Sequence, residues 1–273
     1  MLSNSYPEVR QDLQTLSSLI GQSRIENAVH YPSDILYGRL VGETLANCFL
    51  EKNKYTPSKD LKKKHQKRFV NYCLDRASET YNDNHIDNLI EDIASFVYRT
   101  NTIEQNNVDY NDCKDATQMI LQGYPVDYAS KNDHITSQFN CIIAGFNCDK
   151  IDSLSKIRYV HNFIGDRCLE RGEPGEIRNY SHNSPNGVSY SEPYEIYDNI
   201  KNLFKLNLDP WSKHVVYELI HPFCDGNGRS GRIMLLSDLD FNFRKANDYI
   251  GEDYIKNLTD VMDSNHDKIK SFL

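Results

Sequence analysis

Apolar residues recur at helical spacing along most of the chain. In residues 8–21, EVRQDLQTLSSLIG, the side chains Val9, Leu13, Leu16, Leu19 and Ile20 share one face, and Gly21 stops or kinks the segment. The same amphipathic pattern runs over 34–52, 60–81 and 85–99, and again over 115–123, 135–146, 153–170, 193–205 and 210–220. Between these groups NTIEQNNVDYNDCKD (101–115) loses its apolar content and reads as a long connection or subdomain boundary. The period changes only in EIRNYSHNSPNGVSYSEP (176–193). There Asn186-Gly187 is a favoured pair for a tight hairpin turn, with Ile177, Tyr180, Val188 and Tyr190 alternating loosely around it. A lone hairpin is marginal in water, so this one must lean on the helical body; a surface loop is the other reading. The pattern predicts a mostly α protein with one β-hairpin.

Composition narrows the picture. A chain of 273 residues is long enough to bury a sizeable core in one large domain or two small ones. Its net charge of -8 repels nucleic acid and anionic membrane alike, so neither is expected as a partner. The basic run LKKKHQKR (61–68) reads as a solvated helix face. No apolar stretch approaches the roughly 20 residues that span a bilayer. The start, MLSNSYPEVRQDLQTL, has no basic segment leading into an apolar one, so a secretory signal is not expected. Seven cysteines, an odd number with no CxxC spacing, suit reduced thiols and not a disulfide framework or a zinc site. A cytoplasmic location is expected, with delivery into a host cell left open.

The densest chemistry lies in HPFCDGNGRSGR, residues 221–232. His221 follows the apolar face of WSKHVVYELI and is suited to accept a proton near neutral pH. Gly226 and Gly228 allow backbone N–H groups to converge on an anion. A helix beginning beyond them adds the positive end of its dipole. Arg229 and Arg232, three apart, are neighbours on that helix and serve the same anion. Asp225 would repel a bare phosphate, but makes sense as the ligand of a magnesium ion shared with phosphates. An EF-hand starting at Asp225 would need a carboxylate where Leu236 stands, and a Walker P-loop would need Gly-Lys-Ser/Thr after its glycines; neither is present.

HPFCDGNGRSGR resembles the Fic signature, HxFx(D/E)GNGRxxR, at every specified position. IDSLSKIRYVHNFIGD (151–166) is similar to the family's preceding helix, with His161 at its usual histidine position, and GEPGEIRN with the Asn-Gly hairpin resembles its flap. The resemblance implies a Fic-type helical bundle with one β-hairpin flap beside the active site. It divides the chain into an N-terminal helical region, 1–120, and a catalytic core, 121–273. It also implies a protein adenylyltransferase that moves AMP from ATP to a Ser, Thr or Tyr hydroxyl of a target protein, with Mg2+. His221 would deprotonate that hydroxyl and Asp225 would bind magnesium. Asn227 with the Gly226–Gly228 backbone would hold the α-phosphate, and Arg229 and Arg232 the outer phosphates. The target segment would dock on the flap at Asn186, Gly187 and Val188.

Many family members carry an inhibitory helix of pattern (S/T)xxxE(G/N), whose glutamate pairs with the second arginine of the signature. SRIEN resembles that helix, which places it near 8–30 and makes Glu26 the inhibitor of Arg232. Gln22 stands where Ser or Thr is expected. Reverse, AMP-removing activity follows if Glu26 positions a water. Other donors (UMP, GMP, phosphocholine, phosphate) and a non-enzymatic nucleotide-binding module are the alternative readings; self-association as a homodimer stays open.

Overall fold

The computed structural model describes residues 59–80, 85–183 and 189–272. The expected helix near 8–30 with Glu26, and the turn at Asn186, Gly187 and Val188, lie outside them.

The described chain is mostly helical. Helices α1 (Lys59–Thr80), α2 (His85–Ile103) and α3 (Tyr110–Leu121) come first, followed by the short α4 (Val126–Ala129). Next are α5 (Asp133–Phe146), α6 (Leu154–His161), α7 (Ile196–Leu203) and α8 (Pro210–Ile220). Last come α9 (Asn227–Asp238), α10 (Phe243–Tyr249) and α11 (Tyr254–Phe272). Their starts follow local chemistry. Asp109 caps α3 by accepting from the Asn111 amide (2.7 Å), Asn132 caps α5, and Asp209 caps α8 with Pro210 in its first turn.

Two helices form the centre. Helix α9 carries Ile233, Met234, Leu235 and Leu236, all fully buried, so this one turn is apolar on every side, as a turn inside a bundle must be. Helix α5 lies against it so closely that a Cβ on Gly145 would sit 2.5 Å from Ile233 Cγ2. Phe69 of α1, Phe96 of α2, Phe146 of α5 and Phe243 of α10 meet edge-on around this core, with centroids 5.6–6.4 Å apart. Truncating a fully buried side chain such as Leu235 to Ala would cost about 2–5 kcal/mol.

Helices on both sides of residue 120 thus share one core, and Ser58–Leu273 forms one compact unit. The division expected at 120 falls inside that unit, in the last turn of α3. Nor is 101–115 a long connection. Helix α2 continues to Ile103 and α3 begins at Tyr110. Thr100 and Asn101 are buried although polar, and Asn101 Nδ2 donates to the Val97 carbonyl (2.9 Å). Low apolar content there reflects buried polar side chains: the Asn101 amide is satisfied within the helix, whereas the Thr100 hydroxyl has no hydrogen-bond partner among the described residues. The helix expected over 153–170 stops at His161; Gly165 at φ 79° turns the chain into a 3-10 segment, Asp166–Cys168.

Among the described residues there is no β-strand, only two isolated antiparallel bridges, Ile177 with Phe223 and Asn183 with Ser189. The second joins the residues on either side of 184–188. The first joins residues ahead of that segment to the loop after α8.

Candidate active site

The loop between α8 and α9 holds the expected site residues together. Helix α8 ends at His221, which adopts a left-handed conformation (φ 50°) rarely taken by a residue with a side chain. Several bonds hold it there. The His221 amide donates to the Tyr217 carbonyl (3.0 Å), and Arg178 Nε donates to the His221 carbonyl (2.6 Å). Nδ1 of the imidazole lies 3.2 Å from the Glu218 carbonyl, an obligate acceptor, so Nδ1 carries the proton and Nε2 presents its lone pair. Burial, then the nearby His182 and Arg178, push the His221 pKa down to about 3, so the ring is neutral at physiological pH.

The next residues are fixed just as firmly. Asn227 clasps the Phe223 backbone from both sides: its Oδ1 accepts from the Phe223 amide (2.8 Å) and its Nδ2 donates to the Phe223 carbonyl (2.9 Å). Its carboxamide thus shapes the loop. His161 Nδ1 accepts from the Gly175 amide (2.8 Å), so its Nε2 donates to the Asp225 carbonyl (2.8 Å), while its ring stacks on Phe223 at 3.7 Å. Burial lowers the His161 pKa to about 4 and keeps that neutral tautomer. Gly226 has φ 75°, and a Cβ on it would lie 2.6 Å from Ile164 and 2.9 Å from His161 Nε2, so only glycine fits.

Helix α9 starts at Asn227 with no side-chain cap. Its first-turn amides therefore face the loop as anion donors. Beside them Arg229 Nη1 donates to the Cys168 carbonyl (2.5 Å) and Nη2 lies 3.3 Å from Asp225 Oδ1. The Nε of both Arg229 and Arg232 is buried with no acceptor among the described residues. Asp225 accepts from the Glu170 amide (2.8 Å) and the Gly226 amide (2.5 Å) and stays partly exposed, so lone pairs remain for a cation. Among the described residues no three His, Cys, Asp or Glu side chains gather into a metal cluster. Asp225 is the side chain here that would hold a magnesium ion.

Arg232 is 1% exposed, and its partner is Glu104, at the end of α2. Nη2 donates to Glu104 Oε1 and lies 3.4 Å from the Thr100 carbonyl, while Nη1 lies 3.3 Å from the Tyr254 hydroxyl. Burial opposes the guanidinium charge, but Tyr254, Glu104 and Glu218 outweigh it, and the pKa is raised. Glu104 Oε1 also packs on Gly228, where a Cβ would displace it. A carboxylate of the protein thus occupies the end of the anion cradle. Deeper still, Glu218 is buried under Gly231 and beside His214, and burial pushes its pKa up to about 8.

Of the residues expected from sequence, His221, Asp225, Gly226, Asn227, Gly228, Arg229 and Arg232 come together. Glu26, Asn186, Gly187 and Val188 lie outside the described residues. Sequence reasoning missed Glu104, although TNTIEQ places Thr100 four residues before it, the (S/T)xxxE spacing that Gln22 breaks for Glu26. It also missed Arg178, 2% exposed, which donates to the carbonyls of Tyr180 (2.7 Å), Ser191, Ile220 and His221.

No family model and no curated protein matches the chain. Among solved structures it is similar to a Fic family protein from Desulfovibrio desulfuricans G20, at 17% identity and a TM-score of 0.45, covering 80% of this chain and 67% of that one. It is also similar to Fic-1 (aa134 - 508) from C. elegans, at 19% identity and a TM-score of 0.41, covering 88% and 76%. Both scores are low, so the functional reading rests on the side chains described above. No helix among the described residues is long and apolar enough to cross a membrane.

Proposed function

We propose that the chain is a Fic-type protein adenylyltransferase that transfers AMP from ATP to a hydroxyl of a target protein and is held inactive by Glu104. One observation carries this reading: a neutral imidazole whose Nε2 has no hydrogen bond among the described residues precedes, by one short loop, an uncapped helix N-terminus that carries two buried arginines, each with no acceptor for its Nε among those residues. That is a base next to a built anion site, as phosphoryl-type transfer requires.

The target hydroxyl gives its proton to His221 Nε2 as its oxygen bonds to the α-phosphorus. The bond from that phosphorus to the bridging oxygen breaks, and pyrophosphate leaves. A base of depressed pKa is a weak acceptor in isolation, but a polyphosphate close by stabilises the imidazolium and raises it. The first-turn amides of α9 take the α-phosphate, and Arg229 and Arg232 take the charge that grows on the leaving pyrophosphate. Asp225 would hold magnesium, which neutralises phosphate charge when bound. Asn227 contributes by holding the peptide of Phe223 in place. A target segment docked at Asn186–Val188 would present its hydroxyl through main-chain pairing.

Glu104 takes the inhibitory part that SRIEN assigns to Glu26. While it pairs with Arg232 the outermost phosphate lacks its cation, and ATP settles unproductively. The direct test is intact-mass spectrometry of the protein incubated with ATP and magnesium, as wild type and as Glu104→Gly. A +AMP adduct, stronger in E104G, is expected. A different adduct, or none from either protein, refutes the reading.

A further inference from the structure

We propose that Tyr190 is a positioning residue for the base, its ring lying flat on the His221 imidazole and fixing the plane in which Nε2 meets the target hydroxyl. This rests on the reading of His221 as the proton acceptor.

The two rings are parallel within 3°, with centroids 3.9 Å apart. His221 needs such a restraint, because among the described residues its imidazole has one hydrogen bond, at 3.2 Å, and that bond alone leaves the ring free to rock about Nδ1. Tyr190 is itself well placed to supply it. Its amide lies 3.4 Å from the His182 carbonyl. The following residue, Ser191, is tied at three points: its amide donates to the Leu219 carbonyl (3.2 Å), its carbonyl accepts from Arg178 Nη2, and its hydroxyl accepts from Asn199 Nδ2 (2.9 Å). The Tyr190 ring packs on Val215, Leu219 and Met262. Its hydroxyl makes no hydrogen bond among the described residues, so the ring and not the phenol does the positioning. The same Arg178 that holds Ser191 also holds the His221 carbonyl, so one guanidinium sets the ring and the base against each other.

Three variants separate planar stacking from filling of space. Tyr190→Phe keeps the ring, Tyr190→Leu keeps the apolar bulk, and Tyr190→Ala keeps neither. Expected for Y190F is a kcat within about twofold of wild type; for Y190L and Y190A kcat falls by roughly 10- to 100-fold while KM for ATP changes less than about threefold, the mark of lost alignment. The same proteins with 15N-labelled histidine, free of ATP, give a readout that needs no activity. His221 in wild type and Y190F should show one tautomer with the proton on Nδ1, and in Y190L an averaged pattern. A Y190L protein matching wild type in kcat and in its imidazole signals overturns the proposal. So does a loss in Y190L that appears in KM for ATP instead of kcat. If wild type transfers nothing, the reading of function fails, and the 15N comparison still decides whether Tyr190 fixes the ring.

Discussion

The two ends of the site are held in opposite ways. At the histidine end every restraint is internal and permanent: a helix end, a carbonyl for Nδ1, the Arg178 guanidinium and a stacked ring. At the arginine end the anion cradle is intact but its cations face carboxylates of the protein, Asp225 against Arg229 and Glu104 against Arg232. A phosphate can replace a carboxylate on a guanidinium, whereas the proposed substrate ATP offers nothing to replace the contacts of His221. On the proposed function the base is built once, while the cradle is guarded by groups that exchange. Control of such a site belongs at the arginines.

The largest effect that tests this contrast comes from removing the base. His221→Ala should lower transfer by at least roughly 10²- to 10³-fold, while ATP affinity measured by calorimetry stays within about threefold. Transfer by H221A at the wild-type rate would break the contrast at its fixed end. Arg232→Ala, tested alongside it, should lose transfer together with ATP affinity.

At the exchangeable end, Glu104→Gly should raise automodification by about 10- to 100-fold, since each 1.4 kcal/mol of pairing is tenfold in rate. Glu26→Gly serves as the comparison and should stay near wild type. A rise in E26G without one in E104G would move the inhibitory carboxylate to the segment outside the described residues. Asp225→Ala should raise the magnesium concentration for half-maximal rate by roughly tenfold, because the ion would then be held by phosphates alone. An unchanged magnesium titration would take Asp225 out of the site.

The smallest effect is on stability. Glu218, pushed up to about 8 by burial, keeps its proton in the folded protein through a range where the unfolded chain, near 4.5, has released it. The folded state binds more protons there, so stability falls as pH rises from about 5 to 8. Glu218→Gln removes that term, and its stability relative to wild type should grow by about 2 kcal/mol between pH 6.5 and 8 in denaturant titrations. His161 and His214, lowered to about 4 and about 3, act in the other direction, and weaken the fold as pH drops below 6.5 in both proteins. Parallel curves for E218Q and wild type would show that Glu218 is ionised in the fold.

The exchangeable end was also the harder one to read from sequence. HPFCDGNGRSGR announces itself because base, acid, glycines and arginines are contiguous, and helical periodicity gives the elements that carry them. Glu104 lies 128 residues from Arg232, in a stretch whose polar character mimics a connection because Thr100 and Asn101 are buried polar residues. Periodicity counts apolar side chains, so it misses a helix that buries amides and hydroxyls. Arg178 and Tyr190 make their contacts through main-chain carbonyls and a ring face, neither of which leaves a spacing signal. The break after His161 was visible only as Gly165, whose positive φ no pattern required.

Glu104 follows directly on the last residue of α2, which spans 19 residues, about 28 Å. Its bearing toward Arg232 is therefore set by winding as much as by chemistry. Deleting one residue inside α2 would swing the carboxylate by about 100° around the helix axis, while deleting a whole turn of the helix would restore its direction but withdraw it by about 5 Å. Angular phase and axial reach fail separately, and the Glu104–Arg232 pair needs both.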